Sequence, residues 1–249
     1  MSNLQQFISD YKNSELFKNL LKDNNIEVLM IWITGSTILQ SADESSDYDL
    51  CILIKERPEA TSDAYNLYGR FNPHYAIYKP QQKRLHWIYN TVDEITTSHP
   101  VSPLDNVGWA QFRYITEDFI IYKNPKYLLF VDTLIKNKDN ISINALFSFV
   151  GSILTDLRQL NCDRLRDIAA VYATLPNKAL GHLYWASCIL FDNYFDREFM
   201  MRVKRWPYEL LSQAEQIKVL EILDALELYV KTCPFNALTP FKVEESING

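Results

Sequence analysis

The chain has 249 residues, 47% of them hydrophobic and 13% aromatic; that is enough for one large or two modest packed domains and too apolar for a disordered chain. A formal charge of −6 at pH 7 gives no broad basic surface and disfavours DNA or RNA as a partner. Four cysteines, Cys51, Cys162, Cys188 and Cys233, are scattered without a C-x-x-C pair and read as buried free thiols, not as zinc ligands or a disulfide framework.

The first twenty residues are amphipathic and charged, unlike a secretory leader. Apolar positions Leu4, Phe7, Ile8, Tyr11, Leu16, Phe17, Leu20 and Leu21 recur near the helical period, which predicts one helix over 4–22. Two apolar, β-rich runs follow, Val28–Thr34 and Asp49–Ile54, and read as the first two strands. Ser62–Phe71 suits a short helix. His74–Tyr78 and Arg84–Asn90 suit two further strands, joined as a hairpin by the polar Lys79-Pro80-Gln81-Gln82-Lys83 turn. Thr96–Asp105, with Pro100 and Pro103, reads as a loop. Phe119–Tyr122 is a last short strand, stopped by Lys123-Asn124-Pro125, with Glu117 and Asp118 as the turn before it.

From Tyr127 the texture changes to successive helical patterns: Tyr127–Lys136, Ile141–Leu160, Cys162–Leu175, Ala179–Phe195, Glu198–Trp206 and Ala214–Lys231. Glycine is nearly absent there and long amphipathic stripes dominate. The expected organisation is therefore α+β: a mixed sheet with flanking helices over residues 1–125, followed by an all-helical bundle over 126–249. The tail Glu244–Gly249 reads as frayed. No uninterrupted apolar stretch approaches the roughly 20 residues of a membrane span, so a cytoplasmic protein is expected.

The chemistry is concentrated between the first two strands, in the run IWITGSTILQSADESSDYDLCILI. Gly35-Ser36 ends the first strand, and ten residues separate Ser36 from Asp47-Tyr48-Asp49. Alternate residues of a strand point to one side, so Asp47 and Asp49 are expected on a common face while Tyr48 points away. Two carboxylates that close, with no Lys or Arg in the motif, repel unless a cation lies between them. Mg²⁺ suits that place, because it commonly takes one or two carboxylates together with substrate phosphates. The run is a candidate metal-dependent phosphate site.

Gly-Ser, a spacer of this length and Asp-x-Asp inside a strand resemble the signature of the DNA polymerase β-type nucleotidyltransferase superfamily. Ser46-Asp47-Tyr48-Asp49-Leu50 is similar to the form written by its small bacterial members, the antibiotic nucleotidyltransferases among them. The specific match covers residues 28–54. The resemblance implies a Gly35-Ser36 turn that cradles a nucleotide triphosphate, with ATP the expected nucleotide. It also implies Mg²⁺ on Asp47 and Asp49 and transfer of a nucleotidyl group to a hydroxyl. An α/β half followed by a helical half is the layout of the antibiotic-modifying members as well.

One departure stands out. The family supplies a third acidic residue on a later strand, yet Arg84–Asn90 holds no Asp or Glu, and His86 occupies the apolar-x-apolar position. A neutral imidazole there could act as a general base, or it could be a hydrogen-bonded strand histidine; Asp93 is the fallback acid. In the helical half, Arg202-Val203-Lys204-Arg205-Trp206 offers Lys204 as a cation for the phosphates, against the plainer reading of a solvated basic face with Trp206 as an anchor. Cys162-Asp163-Arg164-Leu165-Arg166-Asp167 reads as a charged helix surface.

Together these readings point to a Mg²⁺-dependent enzyme that moves AMP from ATP to a hydroxyl. The acceptor would be a small, aminoglycoside-like molecule or a protein, and a homodimer is compatible with the sequence. The competing reading is a nucleotide-binding protein of the same fold that has lost transfer chemistry, with His86 marking the loss.

Overall fold

Seven apolar or β-branched residues in a row make Val28–Thr34 the first strand, β1, and every one of them is buried. The computed structural model describes residues 3–23, 26–39, 42, 46–56, 74–78, 83–92, 95, 108–159, 176–205 and 210–232. The further strands are β2 (Tyr48–Ile54), β3 (His74–Tyr78), β4 (Lys83–Thr91) and β5 (Ile120–Lys123). With β1 they form a five-stranded mixed sheet of order β3-β4-β2-β1-β5. β1 runs antiparallel to both β2 and β5, β3 runs antiparallel to β4 as the hairpin requires, and β4 is parallel to β2.

Strand alternation gives the sheet two different faces. Ile31, Ile33, Tyr48, Leu50, Ile52, Leu85, Trp87 and Tyr89 point to one side and pack on Phe7, Ile8, Tyr11 and Leu20. Those four residues belong to helices α1 (Asn3–Asn13) and α2 (Glu15–Lys22). Tyr48 stacks on Phe7 with ring centroids 3.7 Å apart. The opposite side carries Trp32, Thr34, Asp49, Cys51, His86, Ile88 and Asn90. It is covered in part by the segment 108–114, whose Trp109 and Phe112 meet Trp32 edge-on. Trp109 Nε1 donates to Asn90 Oδ1 at 2.8 Å. Burying both faces explains why β1 and β2 read as continuous apolar runs.

The single helix expected over 4–22 is two helices. Ser14 breaks it: its backbone is extended (φ −71°, ψ 151°), and its Oγ accepts from Phe17 N as the cap of α2. The same hydroxyl donates to Tyr11 O at 2.6 Å. A short hydroxyl side chain competes with helix continuation in this way, while the apolar stripe carries on across the break.

Helices α4 (Leu128–Lys136) and α5 (Lys138–Gln159) follow β5. Beyond them come α6 (Pro176–Leu190), α7 (Arg197–Arg205) and α8 (Gln213–Thr232). The described residues fall into two compact units, within Met1–Ser142 and within Ile143–Thr239. The start of α5 goes with the sheet because Ser142 Oγ donates to Ala110 O and Lys138 Nζ to Ile115 O. In the second unit, α6 stops at Leu190 instead of continuing to Phe195. Asp192 adopts a left-handed backbone (φ 51°), and Asn193 N turns back to Cys188 O at 2.9 Å, which closes the helix end.

Cys51 and Cys188 are buried thiols that form no disulfide, as the composition suggests. Ser62–Phe71, Asp93, Thr96–Asp105, Cys162–Leu175, Trp206, Cys233 and Glu244–Gly249 lie outside the described residues. Among the described residues no helix is long and apolar enough to cross a membrane.

Candidate functional site

β1 ends at Thr34, and the chain turns at Gly35 with φ +70°, a backbone region that glycine enters without the clash a Cβ would bring. Here the need is double. A Cβ on Gly35 would lie 1.9 Å from Asp49 Oδ2, so the turn and the carboxylate are in contact. Antiparallel pairing sets Thr34 opposite Asp49, and parallel pairing sets Asp49 opposite His86. The row Thr34, Asp49, His86 thus crosses three adjacent strands on one face of the sheet.

His86 closes on its neighbour: Nδ1 lies 2.9 Å from Asp49 Oδ1, with the two side chains 23% and 25% exposed. An ionised carboxylate can only accept, so in this contact Nδ1–H is the donor and Nε2 is the ring's other nitrogen. No Lys or Arg lies in the Asp49 motif itself; the imidazole of His86 on β4 is its neighbour across the sheet.

Asp47 sits differently from its expected place. β2 begins at Tyr48, so Asp47 lies half-buried just ahead of the strand. Ladder hydrogen bonds therefore fix Asp49 and not Asp47. Ser36 is half-buried on the short helical segment α3 (Gly35–Ile38). Lys204 lies on α7 in the second compact unit, half-buried, with its Cβ against Gly181 of α6.

Sequence reasoning missed Gln111. It lies in a tight turn (Gln111–Tyr114) and is 1% exposed. Its Oε1 accepts from Gly35 N at 2.6 Å and from Thr34 Oγ1 at 2.7 Å. A glutamine inside the run Trp109-Ala110-Gln111-Phe112 was the available signal, since a buried amide among apolar neighbours must find partners.

The donors present are few for a metal. Among the described residues no group of three or more His, Cys, Asp or Glu could hold an ion. Two carboxylates are short of a protein cage, yet they fit Mg²⁺, which keeps several non-protein ligands and arrives bound to substrate phosphates.

No family model matches the chain. No curated protein matches it either. A solved nucleotidyltransferase-like protein from Exiguobacterium sibiricum is similar over 90% of this chain and 74% of that one, at 13% identity and a TM-score of 0.28. Likeness at that level defines no family and assigns no residue; the α+β architecture stands on the sheet and helices themselves.

Proposed function

We propose that the protein is a Mg²⁺-dependent nucleotidyltransferase that passes AMP from ATP to a hydroxyl, with a small hydroxylated molecule as the first acceptor to test and a protein side chain as the second. The observation that carries this reading is the contact of Asp49 with both the Gly35 turn and His86 on one sheet face. It brings an acid, a base and a tight backbone turn together at the ends of β1 and β2.

In this reading Asp47 and Asp49 hold Mg²⁺, which neutralises charge on the triphosphate and on the departing pyrophosphate. The Gly35-Ser36 turn receives the phosphates through Ser36, because the Gly35 amide already donates to Gln111. Asp49 keeps the His86 ring oriented through Nδ1, and Nε2 takes the proton of the acceptor hydroxyl. The oxygen so released bonds to the α-phosphorus, the bond from that phosphorus to the bridging oxygen breaks, and pyrophosphate leaves with the electron pair.

The test is transfer from labelled ATP with Mg²⁺ to a panel of aminoglycosides, other polyols and proteins, read as pyrophosphate and as a mass increment of the acceptor. The wild-type protein should turn over and Asp47→Ala should not; full activity in Asp47→Ala would remove the metal from the account. One observation favours the second reading, a binding protein without chemistry: His86 replaces the third acid. Such a protein would be stabilised by ATP with Mg²⁺ in a thermal titration and release no pyrophosphate with any acceptor.

A further inference from the structure

The structure assigns Gln111 the part of a positioning residue: its buried carboxamide holds Gly35 in the left-handed turn, and that turn fixes the Asp49 carboxylate. The assignment rests on the proposed function only for its catalytic consequence; its structural half stands alone. The orientation of the amide is settled by chemistry, because a backbone N–H can only donate and must face the oxygen of the side chain. Oε1 takes that N–H at 2.6 Å and the Thr34 hydroxyl at 2.7 Å, so one oxygen closes the last residue of β1 and the first residue of the turn.

Gln111 itself has little freedom. It is 1% exposed, and its neighbours Trp109 and Phe112 are both packed on Trp32 of β1. The consequence reaches Asp49 by contact. With Gly35 held at φ +70°, there is no room between its Cα and Asp49 Oδ2 even for a methyl group. Asp49 Oδ1 is held from the other side by His86. The carboxylate is thus gripped between a turn and an imidazole, and Gln111 is what keeps the turn side closed. A second consequence concerns the ligand: a phosphate can use the Gly35 amide only by displacing a buried side chain, so the turn is preformed by protein and not by substrate.

Three variants separate this from a general packing role. Gln111→Leu removes the acceptor and keeps the bulk; Gln111→Glu keeps an acceptor oxygen; Thr34→Val removes one of the two donors and keeps the turn bond. In NMR of the ligand-free protein, two signals are followed: hydrogen exchange of the Gly35 amide and the side-chain carboxylate ¹³C resonance of Asp49. Amides of Ile31 and Leu53 report on the sheet. Gln111→Leu should speed Gly35 exchange by about tenfold or more while Ile31 and Leu53 stay protected, and should displace the Asp49 resonance. Gln111→Glu should keep Gly35 protected, and Thr34→Val should leave both signals near wild type. With Mg²⁺-ATP and an acceptor, Gln111→Leu should then lower kcat/KM by about tenfold or more.

An unchanged Gly35 exchange rate in Gln111→Leu overturns the assignment, as does an Asp49 resonance that stays in place. If Gln111→Leu does not fold, the assignment is decided on Gln111→Glu and wild type: fast exchange of Gly35 in either one overturns it. Wild-type protein that neither binds nor turns over Mg²⁺-ATP defeats the proposed function instead, while a Gly35 amide that is slow in wild type and fast in Gln111→Leu still supports the positioning role.

Discussion

At Gly35 a positive φ and a close carboxylate act on one residue. Gly35→Ala must both accept a positive φ and push a methyl group into the Asp49 carboxylate. We expect a loss of stability on the order of 2 kcal/mol, measured by denaturant titration, together with loss of turnover. His86 separates the two functional readings at the same scale. As the base it should lose about 10²-fold or more in kcat on His86→Ala with KM little changed; an unaltered kcat would reduce it to a strand histidine. The position of His86 was legible because it interrupts an apolar alternation, and strand register then fixes its neighbour. Gln111 was not legible as a partner of Gly35, because the two are 76 residues apart and nothing local marks such pairs.

Element boundaries follow from local chemistry that the apolar periodicity hides. The stripe from Leu4 to Leu21 continues through Ser14, so only the cap reveals the break. At α8, Ser212 and Glu215 form a reciprocal cap: Ser212 N donates to Glu215 Oε2 at 3.0 Å, and Glu215 N to Ser212 Oγ at 3.4 Å. This S-x-x-E pattern was present in the sequence and marks the start of α8. Ser212→Ala should cost about 1 kcal/mol in a denaturant titration. The Glu215 carboxyl is held below its ordinary range, first by the Ser212 hydroxyl and then by Arg202. Its ionised form is the one favoured by the fold, so its contribution is complete above the unfolded value of about 4.3 and fades as pH falls through the lower folded value. Glu215→Gln should therefore flatten the acid limb of the melting curve against pH, and an identical limb would count against the pairing. At the end of α6 the left-handed Asp192 predicts the opposite sign: Asp192→Gly should stabilise by about 0.5 kcal/mol in thermal unfolding.

At the scale of the molecule, β1 and β2 were readable because each is an apolar run bounded by turn residues. The α+β organisation followed from the change of texture near Tyr127. The division into compact units, between Ser142 and Ile143, was not readable, because it falls inside α5 and depends on long-range bonds from Ser142 and Lys138 to the 108–115 segment. On the proposed reading, the Asp47 and Asp49 carboxylates take their ion together with substrate phosphates. Mg²⁺ alone should give no shift in melting temperature, and ATP with Mg²⁺ should give a clear one; a strong response to Mg²⁺ alone would contradict a site completed by phosphate.

The central claim is that Asp47 and Asp49 hold a divalent ion beside the Gly35-Ser36 turn. Its most direct test is a crystal structure with Mn²⁺ and a non-hydrolysable ATP analogue, with the ion located by anomalous scattering. We predict a Mn²⁺ peak bonded to oxygens of both aspartates and a triphosphate against Ser36. A nucleotide bound elsewhere, or an ion that touches neither carboxylate, would contradict it.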